Sequence, residues 1–133
     1  QKKQRYAYAI CLKENNTPIG YVNINLDESH DLGYGLKKEY WHQEIVSDAV
    51  KAVIQQSQKE RLNYLTATHD IKNIHSGHVM KKVVMHYCYS YKEQWIPKNI
   101  PVIFRMYQIN LDGKKRIYQK YWNQYEHFIE ENI

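Results

Sequence analysis

Cysteine, proline and glycine are all scarce in this sequence of 133 residues, at two, three and five. Two cysteines, Cys11 and Cys88, cannot build a disulfide framework. Both sit in strand-like text, where the plain expectation is a reduced core thiol. So little proline and glycine excludes collagen-like and low-complexity chains. No apolar run approaches the roughly 18 residues of a membrane span, and no signal-peptide core follows the N-terminus. The expectation is a cytoplasmic chain with no membrane partner. Gln1 is not an initiator methionine, so the missing leader excludes little. Neither a GxSxG nucleophile elbow nor a phosphate-binding P-loop occurs.

What is present is ordinary for a globular domain: 43% apolar and 25% charged residues, which excludes a wholly disordered chain. The length fits one domain over residues 1–133 with a real core. Net charge is +5, but it is unevenly placed. Residues 1–13 hold Lys2, Lys3, Arg5 and Lys13 and no acid, whereas residues 14–112 balance 11 basic against 11 acidic side chains. A nucleic-acid binder carries its basic stripe on the folded surface, so nucleic acid is disfavoured as a partner. Thirteen tyrosines are able to stack bases, yet they alternate within apolar segments, as packing residues do.

The hydrophobic pattern predicts strands over 5–12, 19–26, 31–36, 64–69, 86–95 and 103–111. Gly33 and Gly35 inside the third strand point to a bulge or to a close approach onto the backbone. Ile45, Val46, Ala49, Val50, Val53 and Ile54 predict a helix to about Lys59. A second helix is expected over 73–84, capped by Asp70 or Asn73. Tyr118, Tyr121, Trp122, Tyr125, Phe128 and Ile129 fall at helical spacing and predict a third over 114–131. That order gives an α/β (α+β) domain. Its sheet is mixed and mostly antiparallel, with helices on its faces and an extra C-terminal helix. Among His69, His75, His78 and His86, the spacing of His75 and His78 lets them share a helix face, but no Cys pair or HExxH pattern supports zinc, so no metal is expected.

The join between the third strand and first helix carries the chemistry. A strand that runs through a short loop into a helix N-terminus presents free backbone N–H groups, and these hold phosphate. Here that join reads Leu32-Gly-Tyr-Gly-Leu36, then Glu39-Tyr-Trp41, then Ile45-Val-Ser-Asp-Ala-Val50. About 40 residues on comes Asp70-Ile-Lys-Asn-Ile-His-Ser-Gly-His-Val-Met-Lys-Lys-Val-Val-Met85. In these segments, in their order and over roughly residues 5–111, the sequence resembles the GNAT superfamily of acyl-CoA-dependent N-acetyltransferases. The branch it looks most like acetylates ribosomal-protein N-termini.

The resemblance implies a twisted sheet with a V-shaped opening, acetyl-CoA as cosubstrate and a primary amine as acceptor, on a protein N-terminus or a small molecule. It implies that pantetheine pairs with the strand ending at Leu36. The pyrophosphate would lie on the loop of Trp41, His42, Gln43, Glu44, Ile45 and Val46, continuing to Ser47 in the helix's first turn. Asn73 would steady the pantetheine arm. Ser76 would give a proton to the departing thiolate. Asp31 is the candidate general base, since an attacking amine must shed a proton. The plainer roles are a cap for Asn73, a first-turn serine for Ser76 and a strand-edge carboxylate for Asp31.

This chain departs from the family pattern at named positions. Two loop glycines are His42 and Glu44, and the usual lysine between them is Gln43. The glycine that closes the second signature is Val84, its common arginine is His78, and Met80 stands where many members carry a tyrosine. Glu44 sets a carboxylate where a diphosphate is expected. The alternative function is therefore a GNAT-fold protein that binds a partner or acyl-CoA without turnover. The resemblance also implies a strand and two helices ahead of the first hairpin, forming one wall of the acceptor cleft. The final aromatic stripe is expected to cover the chain's own exposed face, with a homodimer contact as the other use.

Overall fold

The computed structural model describes residues 4–133, so Lys2 and Lys3 lie outside the described residues. Alternating apolar and polar side chains produce three antiparallel strands in the order β1-β2-β3: β1 (Arg5–Cys11), β2 (Pro18–Asn25) and β3 (Leu32–Leu36). Register runs from Tyr8 opposite Val22 to Val22 opposite Tyr34. A second sheet holds β4 (Tyr64–Asp70), β5 (His86–Trp95), β6 (Ile100–Asn110) and β7 (Glu126–Phe128), in the order β4-β6-β5-β7 and antiparallel throughout. The described residues also form three α-helices, α1 (Ile45–Lys59), α2 (Ile74–Lys82) and the short α3 (Lys120–Gln124), and a 3-10 turn at Lys38–Tyr40.

Among the described residues one parallel backbone bridge, Asp31 to Thr66, links the two sheets; there the Thr66 N–H donates to the His30 carbonyl at 3.2 Å. Past that point no ladder joins β3 to β4 among the described residues. Strands that start together and then part leave a V. Its open side is where functional groups gather.

One face of the V packs on α1 and α2. The apolar side of α1 buries Val46, Val50, Val53 and Ile54 against Val22, Ile24, Leu32, Leu65, Ala67, Met80 and Tyr107. Full burial of each such aliphatic side chain contributes about 2 kcal/mol. Gly77 lets α2 approach the sheet, because a Cβ there would meet His69 Nε2 at 2.9 Å. Gly35 serves a close approach in the same way. The Tyr21 ring lies across it, and an added Cβ would sit 2.5 Å from Tyr21 Cε1.

The C-terminal segment departs from expectation. Residues 114–131 do not form a helix; only Lys120–Gln124 is helical, and Glu126–Phe128 pairs with Ser90–Lys92 on the edge of β5. Aromatic residues gain little from a helix, and tertiary partners take this backbone instead. The Gln108 side chain accepts from the Tyr118 N–H at 2.8 Å, and Tyr89 Oη donates to the Tyr118 carbonyl at 2.6 Å. Tyr118, Tyr121, Trp122 and Tyr125 then cover Tyr89, Tyr91 and Met106 on the second face of the sheet. Tyr121 stacks on Tyr91 with centroids 4.8 Å apart. The aromatic stripe therefore covers its own sheet.

The tail finally wraps the sheet edge. Glu130 receives both Nε and Nη2 of Arg105, at 2.8 and 2.9 Å, and its backbone N–H donates to Tyr87 Oη. Cys11 is another correction: it is exposed at the end of β1 rather than in the core, while Cys88 is half-buried. Burial pushes the Cys88 thiol up to about 11. No described helix is long and apolar enough to cross a membrane.

Candidate active site

The backbone of β3 dictates which groups face the V. The Asp31 carbonyl accepts from Asn25 and the Lys37 N–H donates to Ile19, both across to β2. Alternation along the strand then turns the peptide groups of Leu32, Tyr34 and Leu36 to the other edge. Between that edge and the start of α2 lies a cavity of about 260 Å³, lined by Tyr34, Gly35, Leu36, Trp41, Val46, Asn73, His75 and Ser76. It is narrow, below the roughly 300 Å³ of a drug-sized pocket, which suits an extended arm better than a nucleotide. A larger and more open hollow of about 610 Å³ lies between β1 and α1, lined by Arg5, Tyr6, Tyr8, Gln56 and Glu60 among others.

Two tethers span the cavity. Tyr34 Oη donates to the Ser76 carbonyl at 3.0 Å, and burial pushes that phenol up to about 12, so it remains a donor. Asn73 Oδ1 accepts from the Ser76 N–H at 3.2 Å and caps α2. The capping role of Asn73 is thus met, and the residue also lines the cavity.

The loop before α1 keeps an unusual backbone. His42 has φ +65° and Glu44 φ +62°, the left-handed region that costs most non-glycine residues about 1 kcal/mol or more. Val84 has φ +67°, the more costly for a β-branched side chain. All three positions are those where the family pattern carries glycine. The Glu44 carboxylate turns aside to an ion pair with Lys82 at the end of α2, which holds it below the usual carboxylate range. The backbone N–H groups of residues 42–47 donate to no carbonyl among the described residues. They end a helix whose dipole is positive there. Gln43 turns its side-chain amide onto the Glu39 carbonyl at 3.4 Å. A small hollow beside Leu36, His42, Glu44, Ile45, Val46 and Ser47 adjoins the main cavity.

Asp31 stands apart, at the apex of the V. It lies three residues, or about 10 Å of strand, from Tyr34. Its Oδ1 is sealed from solvent and has no hydrogen-bond partner among the described residues. Burial first, and the nearby Asp27 charge second, push the carboxyl up to about 7.

Leu36, Trp41, Val46, Asn73 and Ser76 therefore share one cavity. His42, Glu44, Ile45 and Ser47 gather beside it, while Gln43 and Asp31 lie outside both hollows. Three participants escape the sequence reading. Tyr34 was visible only as a strand residue. His75 stacks with Trp41 and meets His42 edge-on, with centroids 6.2 and 5.4 Å apart. Lys82 lies 38 residues from its partner Glu44. Among the described residues no group of three or more His, Cys, Asp or Glu side chains is placed to hold a metal.

A family model described as an acetyltransferase (GNAT) domain matches residues 1–86. Among curated proteins none matches. A GNAT-family acetyltransferase from Bacillus anthracis is similar, with 23% identity and a TM-score of 0.69 over 80% of this chain and 66% of that one. A ribosomal-protein-S5-alanine acetyltransferase from Vibrio fischeri is 19% identical, with a TM-score of 0.73 over 85% and 65%. The microcin C7 self-immunity acetyltransferase MccE, in complex with acetyl-CoA and AMP, is 15% identical, with a TM-score of 0.70 over 80% and 61%. These likenesses show the fold, and this chain spans 66% or less of each structure's length. The family match takes in well over half of the sequence, and the chain belongs to the GNAT acetyltransferase domain family.

Proposed function

We propose that this chain transfers an acetyl group from acetyl-CoA to a primary amine, on a protein N-terminus or a small molecule. The observation that carries the reading is the row of free N–H groups over residues 42–47, held by left-handed backbone at His42 and Glu44. The residues fit the ligand's chemistry: an anion cradle at a helix N-terminus adjoins a narrow cavity along a strand edge. Lys82 pairs with the Glu44 carboxylate, which would otherwise oppose an anion there. MccE, with the same fold, has been solved with acetyl-CoA.

When bound, acetyl-CoA supplies a thioester carbonyl open to attack by an amine. The chain's own residues divide the remaining work. The N–H groups from His42 to Ser47 hold the diphosphate. The edge of β3 at Tyr34 and Leu36 aligns the pantetheine arm, and the Asn73 amide nitrogen donates to it. Ser76 Oγ gives a proton to the leaving sulfur. The Asp31 carboxyl group accepts the proton that the amine sheds. A base with a pKa of about 7 is matched to that task at neutral pH.

The test is a free-thiol release assay with acetyl-CoA and a panel of amines, including peptides bearing ribosomal-protein N-termini, with product mass read by mass spectrometry. Acetylated product with stoichiometric thiol is expected. Thiol release no faster than in enzyme-free controls across the panel would overturn the proposal.

A further inference from the structure

Leu36 ends β3 with its carbonyl on the open edge, and that carbonyl is already taken. The indole N–H of Trp41 donates to it at 2.8 Å. The indole lies nearly parallel to the His75 ring, and both side chains line the cavity between β3 and α2. Trp41 is 42% exposed, so core packing does not lock it in place. One hydrogen bond, a one-sided stack on His75 and an edge contact with the His42 ring hold it.

A strand-edge carbonyl facing a cavity pairs with the amide N–H of an extended ligand as it would with an added strand. Trp41 puts its own N–H in that place. A carbonyl has two lone pairs; it is the bulk of the ring beside the carbonyl that makes the two donors exclusive. We propose that Trp41 is a built-in substitute for the ligand's amide. Its indole holds the Leu36 carbonyl in the free protein and swings off when the pantetheine arm of a CoA thioester pairs along β3. Trp41 thereby sets the affinity of the cleft. This rests on the reading of the chain as a CoA binder.

The variant that tests the effect is Trp41→Phe, which keeps an aromatic ring against His75 and removes the N–H donor together with part of the bulk beside the carbonyl. Titrated calorimetrically with coenzyme A, it should bind about three- to tenfold more tightly than the wild type, the fold-change of one ordinary hydrogen bond. In the wild type, the Trp41 indole ¹⁵N–¹H resonance should shift on saturation with coenzyme A, and its proton should exchange faster with water. Equal or weaker binding by Trp41→Phe, or an indole resonance that stays put while coenzyme A saturates the protein, overturns the inference alone. No binding by either protein overturns the CoA reading and this inference with it. The indole measurement needs no variant, so it decides the matter even if Trp41→Phe fails to fold.

Discussion

Glu44 opens α1 from a left-handed backbone and turns its carboxylate onto Lys82, at the far end of α2. The pair spans two helices and removes the obstacle that Glu44 poses to an anion. An unpaired carboxylate beside a phosphate repels it, an effect that solvent at this exposed position screens. Lys82→Ala should therefore weaken acetyl-CoA binding by about three- to thirtyfold. The double variant Lys82→Ala/Glu44→Gln should recover most of the loss. A titration series on the wild type, Lys82→Ala, Glu44→Gln and the double variant measures the coupling, and additive losses would contradict this role for Lys82.

Val84 bears the clearest backbone strain. It has a β-branched side chain at φ +67° and is 62% exposed. Val84→Gly should raise stability by about 1 kcal/mol, a rise of several degrees in Tm. Val84→Ala should recover less, since alanine still carries a Cβ. Thermal unfolding of the three proteins checks the order.

Asp31 makes a two-sided prediction about pH. Its folded pKa of about 7 stands above the ordinary 3.8, so between these values the unfolded chain releases a proton that the native state keeps. Stability from this group therefore falls as pH rises from about 4 to about 7, then levels off. Asp31→Asn should be more stable than the wild type by about 2–4 kcal/mol at pH 8, with the gap closing by pH 4. Activity runs the other way. The base works when ionised, so kcat/KM should climb with pH and level off above about 7, and Asp31→Asn should lose that limb. Chemical denaturation at several pH values and a pH–rate profile read the two sides separately.

Arg105 and Glu130 latch the tail in a half-buried, bidentate pair. Glu130→Ala leaves the guanidinium without its partner and Ser90 Oγ without its acceptor. A loss of about 2–3 kcal/mol is expected. The loss should appear first as faster amide exchange over residues 126–133, as β7 detaches from β5.

The limits of the sequence are visible in particular elements. Apolar spacing alone placed α1 at Ile45–Lys59, and the capping residue of α2 proved to be Asn73. The stripe from Tyr118 to Ile129 has the same spacing and failed as a helix. A period of three to four specifies which side chains share a face, whereas the open edge of β5 and the side chains of Gln108 and Tyr89 decided the backbone. At the site, the departures at His42, Glu44 and Val84 were legible as substitutions. Retention of left-handed backbone at all three was not, because φ depends on the surrounding chain. The burial of Asp31 was equally hidden. Tyr121, whose phenol feels the Asp31 charge, arrives from a tail 90 residues away.

The central claim is that the loop at 41–47 still cradles a CoA diphosphate although its glycines are gone. Isothermal titration of acetyl-CoA into the purified chain tests it most directly. The account predicts saturable one-to-one binding in the micromolar range, weakening as salt rises. No heat of binding at millimolar acetyl-CoA, from a protein shown to be folded, would contradict it.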